Sequence, residues 1–314
     1  MAADLERAIQ TVVERCLAIR AGENVLVIGD PESRALAEAM RDVAARAGAD
    51  AVLALMDERE HDGTDPPPTI AAALRAADAF LAPTTRSLSH TPARRAATEA
   101  GVRGATLPGV TADMLARVMD VDFDELRERT QAITKLLNDS DEVHFTCARG
   151  SDLTLDITSR PGVPDFGDLT APGAFGNLPA GEGFIAPMGG SGTLVATSLA
   201  PLGISPEPVL LTVSDGHLTD AVGPLGPEFL SRLRAHGPMG TNLAELGVGT
   251  NDAATLTGNV LEDEKILGTV HVAFGASAGI GGTVSVPIHL DVVVLEPTLE
   301  VGGVAVLDRG RWVL

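Results

Sequence analysis

The chain has no tyrosine, one tryptophan and eight phenylalanines in 314 residues. Aromatics at 3% leave too few rings for a single-strand stacking platform, and the missing tyrosine removes every phenol-based catalytic role. Cysteine is nearly absent. Cys16 and Cys147 stand far apart in no CxxC pair, which argues against a disulfide framework and against a thiolate zinc site. Positive charge is scarce, with 23 Lys and Arg against 43 Asp and Glu and a net charge of −20. Phosphate binding needs a basic face, so a nucleic-acid partner is excluded and an anionic membrane surface is disfavoured. No apolar run approaches the roughly 18 residues of a membrane span. The opening MAADLERAIQ lacks the basic and apolar regions of a secretory signal, so a cytoplasmic protein is expected. Lysine occurs only at positions 135 and 265, a bias towards Arg that reads as genomic base composition.

What is present is enough apolar material for a real core, 45% of residues, and a length that fits one large domain or two ordinary ones. Residues 5–17 carry apolar side chains at helical spacing, and residues 31–47 read as a second helix with Pro31 in its first turn. Between and after them, residues 25–28, 51–56, 79–82 and 105–107 form short apolar runs without polar alternation. Such runs separated by helices predict a parallel sheet covered on both faces. A charged helix over 123–137 closes this half. Helical periodicity then nearly vanishes, and Gly, Pro, Thr and Val dominate a series of strand-like runs separated by turns. The expected architecture is an α/β class: an N-terminal parallel-sheet domain over 1–140, then a β-rich metal-binding domain over 141–314.

Chemistry concentrates in that second half. His289 and Asp291 alternate on a strand-like stretch, so imidazole and carboxylate point from the same surface. His271 lies in a second strand-like run, and Glu182, Glu245, Glu262 and Glu264 stand upstream. Two His with several carboxylates suit Zn, Co, Mn or Fe(II). Glu262 reads as a solvated turn. The segment Gly275-Ala276-Ser277-Ala278-Gly279 matches GxSxG after a strand, but no His follows Asp291 and the next residues are unlike a helix, which argues against a serine hydrolase. Neither a Rossmann nor a Walker glycine pattern occurs.

NLPAGE at 177–182, LAELGVGTN at 243–251, DEK and TVHVAFG within 263–275, and SVPIHLD at 285–291 resemble, in order, the motifs of the thermophilic aminopeptidase family, that of aminopeptidases T and S. The resemblance implies a dinuclear site of two Zn, Co or Mn ions held by Glu182, Glu245, Glu264, His271, His289 and Asp291. It implies a metal-dependent hydrolase acting on a small peptide or amide, with Glu182 or Glu245 as general base, and a homodimer. Two metals about 3.5–4 Å apart would activate a bridging water. Glu264 stands further from His271 than the family pattern, and Ala278 falls near the position of the family's tyrosine. Loss of that phenol, a donor of the kind worth roughly 2.7–4 kcal/mol, implies slow peptide turnover. The 2,5-dihydroxypyridine dioxygenases are similar to this peptidase family. Their alternative here is a single Fe(II) held by His271, His289 and Asp291. A binding protein with a degenerate site is the third reading.

Overall fold

The computed structural model describes residues 2–314, which cluster into two units. The first unit runs to Asp120 and includes Gly167–Ala180; the second holds Val121–Phe166 and Gly181–Leu314. The charged helix predicted over 123–137 therefore goes with the second unit, and a later segment returns to the first.

In the first unit α1 (Ala2–Gln10), β1 (Asn24–Gly29), α2 (Arg34–Arg46), β2 (Asp50–Leu55) and α3 (Pro68–Ala76) follow in order. Then come β3 (Ala79–Ala82), α4 (Pro92–Glu99), β4 (Arg103–Thr106) and α5 (Ala112–Val118). The second unit begins with α6 (Phe123–Asn138), β5 (Glu142–Thr146), β6 (Asp152–Asp156) and β7 (Gly162–Asp165). After β8 (Phe175–Asn177) of the first unit, β9 (Glu182–Ile185), β10 (Gly189–Leu199), β11 (Gly203–Ser214) and β12 (His217–Val222) return to the second. It continues through α7 (Gly226–Arg234), β13 (Leu243–Gly249), α8 (Val260–Asp263), β14 (Val270–Gly275) and β15 (His289–Val294). It ends with β16 (Thr298–Val301), β17 (Val304–Asp308) and β18 (Arg311–Trp312).

The first unit is a parallel sheet in the order β2-β1-β3-β4-β8. Val25, Leu26, Val27 and Ile28 are all buried, as a strand covered on both faces requires. Helix α2 covers it with Leu36, Ala37, Met40, Val43 and Ala44, an apolar stripe at helical spacing. Within this parallel sheet, the strand that sequence periodicity does not reveal is β8, whose three residues are too few to carry a pattern.

The second unit is a large antiparallel sheet ordered β18-β17-β16-β5-β6-β10-β15-β14-β13-β9-β7, with β11 and β12 extending from β10. Helix α6 packs against β7 and β9. It starts where the Asp122 carboxylate accepts the backbone N–H groups of Asp124 and Glu125. Val270, Val272, Phe274, Val292 and Val294 join one hydrophobic core with Leu246 and Val248 of β13. Alternation along the same three strands turns the intervening residues to the opposite face, also buried, which carries the charged groups.

Candidate metal centre

Ladder register assembles the donors on that second face. Glu245 pairs with Ala273, Gly247 with His271, and Gly249 with Glu182. On the other side Ala273 pairs with Asp291 and Gly275 with His289. Glycine and alanine thus alternate with the charged residues across four adjacent strands, and their small side chains leave room for the large ones. The crowding is extreme at Gly247, where a β-carbon would lie 2.0 Å from His271 Nε2. Only glycine fits there, because the imidazole already occupies the space.

All six predicted metal residues meet in this place. Glu182, Glu245, Glu264 and Asp291 are buried, His271 is wholly inaccessible, and His289 is partly buried. His271 Nε2 lies 3.0 Å from Glu182 Oε2 and 3.5 Å from Glu245 Oε1. His289 Nε2 lies 3.3 Å from Glu245 Oε2 and 3.7 Å from Asp291 Oδ1. Three trios have ligand atoms within 4.8 Å of one another: Glu182–Glu245–His271, Glu245–His289–Asp291 and Glu264–His271–Asp291. His271, His289 and Asp291 do not form a trio of their own; Asp291 joins each imidazole in a different one.

Two features suit a cation at these atoms. Glu182 Oε2 and both ring nitrogens of His271 are buried without an aligned hydrogen bond, a costly state for polar atoms unless something else satisfies them. His289 Nδ1 lies 2.7 Å from the Ala276 carbonyl oxygen, which only accepts. Nδ1 therefore carries a proton, which leaves Nε2, facing Glu245 and Asp291, as the ring atom that a metal would take by displacing its proton.

The charges are strongly coupled. Burial pulls both imidazoles towards neutrality, yet Glu182 beside His271 and Asp291 beside His289 outweigh it and raise both well above the usual histidine range. Burial pushes the Glu245 carboxyl up, but the His271 and His289 imidazoles beside it hold it well below the usual carboxylate range. Burial lifts Glu264 to about 8 against the pull of Lys265, with Glu182 and Asp291 adding to the rise.

One member of the cluster escapes motif-by-motif reading. Lys265 is completely buried, with Nζ 2.5 Å from Glu182 Oε1 and 2.5 Å from Glu264 Oε1. Its scarcity in the sequence was the available signal. Glu262, expected in a solvated turn, is instead fully buried and accepts the Thr255 N–H at 2.8 Å. Asp263 accepts from the Thr257 N–H, the Gly258 N–H and the Ser198 hydroxyl, so these two acids shape the loop that delivers Glu264 and Lys265. Ser277 is buried, its Oγ accepts the Val284 N–H, and one 3-10 turn over Ala278–Ile280 follows it. It has none of the exposure of a nucleophile elbow. Cavities of about 410 Å³ beside His217 and Arg234 and about 270 Å³ beside Glu142 and His144 include none of the metal donors.

A two-unit α/β protein with a buried imidazole–carboxylate cluster suited to a divalent metal is the class that fold and site define. The family model NicX, 2,5-dihydroxypyridine 5,6-dioxygenase, matches residues 4–314, and the chain belongs to that family. A solved 2,5-dihydroxypyridine dioxygenase from Pseudomonas putida KT2440 shares the fold at a TM-score of 0.86 and 22% identity, covering 100% of this chain and 98% of its own. Wild-type AmpT from Thermus thermophilus shares it at 0.73 and 19%, covering 100% of each chain. No curated protein matches the sequence. The family match corrects the expectation of an aminopeptidase-like hydrolase or protease: that motif resemblance reflects a fold common to both solved structures, and the family is a dioxygenase family. Among the described residues no helix is long and apolar enough to cross a membrane.

Proposed function

We propose that the chain is an Fe(II)-dependent ring-cleaving dioxygenase acting on a dihydroxylated pyridine. The observation that carries this reading is the NicX match over residues 4–314. Its chemical support is the donor set, since mixed imidazole and carboxylate ligands suit Fe(II). Glu245, His289 and Asp291 hold the metal, because their ligand atoms converge and none is engaged by Lys265. When bound, Fe(II) supplies one-electron chemistry with dioxygen that the side chains lack.

The protein groups position the site. The Ala276 carbonyl fixes the ring of His289 through Nδ1. His271 lies near Glu245 Oε1 and His289 near its Oε2, so each oxygen of that carboxylate has its own imidazole neighbour. The hydrophobic core behind β13, β14 and β15 holds the donor-bearing strands in fixed register. The test is oxygen uptake by protein reconstituted anaerobically with Fe(II) and given 2,5-dihydroxypyridine under ¹⁸O₂. The expected result is one ring consumed per dioxygen with both labelled atoms in the opened product. No uptake on any dihydroxypyridine by Fe(II)-loaded, folded protein overturns the reading.

A further inference from the structure

The geometry points to Ser277 as the positioning residue of His289: its N–H and its hydroxyl, both clamped on Val284, aim the Ala276 carbonyl at the imidazole. This rests on the metal-centre reading above, in which His289 is a ligand. The Ala276 carbonyl oxygen lies 2.7 Å from His289 Nδ1 and orients the ring. That oxygen shares one planar peptide unit with the Ser277 N–H, and in a trans peptide the two point in opposite directions. The Ser277 N–H donates to the Val284 carbonyl at 2.9 Å. Holding the N–H on one side therefore fixes the carbonyl on the other. The Ser277 hydroxyl closes the clamp, because its Oγ accepts the Val284 N–H at 3.2 Å.

The Ala276 carbonyl reaches the ring because the β14–β15 ladder ends just before it, at the pairing of Gly275 with His289. Gly275 has a φ of 115°, and a β-carbon there would lie 2.2 Å from the Ile288 carbonyl oxygen, so glycine is needed for the chain to turn. The Ala276 N–H donates to that same oxygen at 2.8 Å, and the Ala276 carbonyl turns to the imidazole. The loop beyond is wound onto Ser277. Its carbonyl accepts the Ile280 N–H at 3.0 Å and the Gly282 N–H at 2.9 Å. Gly282 packs so closely that a β-carbon there would lie 2.2 Å from Ser277 Oγ. Arg160 anchors the outer end, where its Nη1 donates to the Gly281 carbonyl at 2.9 Å. Ser277 is buried, so water competes little for these bonds. The GxSxG spacing thus has a use without a nucleophile: Gly275 turns the chain, and Ser277 holds the turn against the metal ligand.

The experiment reads ring orientation and metal affinity rather than turnover. Full-length, chelator-stripped protein labelled with ¹⁵N-histidine is examined by NMR for the hydrogen-bonded Nδ1–H of His289, assigned by its loss in His289→Ala. Mn(II) affinity is measured on the same samples by calorimetry. Ser277→Ala is expected to lose or broaden that resonance and to bind Mn(II) about tenfold more weakly, as removal of a ligand's supporting partner does. Gly282→Ala, whose new methyl group displaces the Ser277 hydroxyl, is expected to do the same and serves where Ser277→Ala does not fold. Gly303→Ala is the control for a general loss of stability: it strains a residue at φ 78° in the β16–β17 turn, with nothing within 4 Å. It is expected to keep both the resonance and the affinity. Folded Ser277→Ala with wild-type resonance and affinity overturns the proposal, as does a loss of affinity no larger than in Gly303→Ala. Wild type without a protected Nδ1–H also overturns it. Wild type that binds no Mn(II) overturns the metal centre and this role with it. Metal-loaded wild type that consumes no oxygen with dihydroxypyridines overturns the proposed activity alone.

Discussion

Replacing Gly247 with alanine tests the packing of the metal centre with a single methyl group. The added β-carbon would lie 2.0 Å from His271 Nε2, 2.1 Å from Cε1 and 2.9 Å from Cδ2. Ordinary carbon contacts are no closer than about 3.4 Å, so the ring must retreat by more than about 1 Å. His271 has no exposed surface and its strand is paired on both sides, so there is little free space to retreat into. Overpacking of this kind costs roughly 1–3 kcal/mol of stability. The displaced ring also ceases to hold Glu245 Oε1, now 3.5 Å away. Loss of a supporting partner typically weakens metal binding 10–100-fold, equivalent to about 1.4–2.7 kcal/mol. Urea unfolding in the presence of chelator reads the first quantity, and Mn(II) calorimetry on stripped protein reads the second. Gly189→Ala is the control: a β-carbon there meets nothing within 4 Å, and its effect should stay within about 0.5 kcal/mol. A Gly247→Ala protein with wild-type stability and wild-type metal affinity would refute the argument that the ring fills the glycine's space.

Further outcomes follow from the same geometry. His289→Ala and Asp291→Ala should each lose metal while keeping the fold, as measured by elemental analysis and circular dichroism; full metal content in either contradicts the ligand assignment. In the metal-free protein His289 is held protonated by Asp291 and Glu245, so metal binding should release roughly one proton per imidazole that becomes a ligand. Affinity should fall about tenfold per pH unit for each proton released, and calorimetric enthalpy should vary with the buffer's ionisation enthalpy; no such variation would contradict the raised state. The sign for stability is opposite. A raised histidine stabilises the metal-free fold fully below its ordinary value of 6.5, and this contribution is lost as pH rises through the raised folded value. Asp263→Ala leaves the Thr257 and Gly258 N–H groups and the Ser198 hydroxyl without their acceptor, and should cost about 3 kcal/mol in urea unfolding. A smaller loss than about 1 kcal/mol would show that water replaces the carboxylate.

The sequence by itself determined the local elements and the type of chemistry. Unalternating runs such as Val25–Leu26–Val27–Ile28 specify a doubly covered strand because burial on both faces demands it. VHVAFG and HLD show core on one side and chemistry on the other, since strand side chains alternate. What they do not carry is which distant segment lies opposite. Glu182 and Lys265 are 83 positions apart, and only the pairing of β9 with β13 and the fold of the α8 loop bring them together. Nor does an acidic run reveal which of its members turns inward: Glu262 and Asp263 bond the loop backbone, while Glu264 and Lys265 reach the metal donors. The motifs were also shared between two chemistries on one fold, so their order along the chain supported a hydrolase that the family match overturned. Tertiary structure decided the remainder because the charge balance of a buried cluster depends on three-dimensional distances of a few ångströms, and these are fixed by sheet register rather than by spacing along the chain.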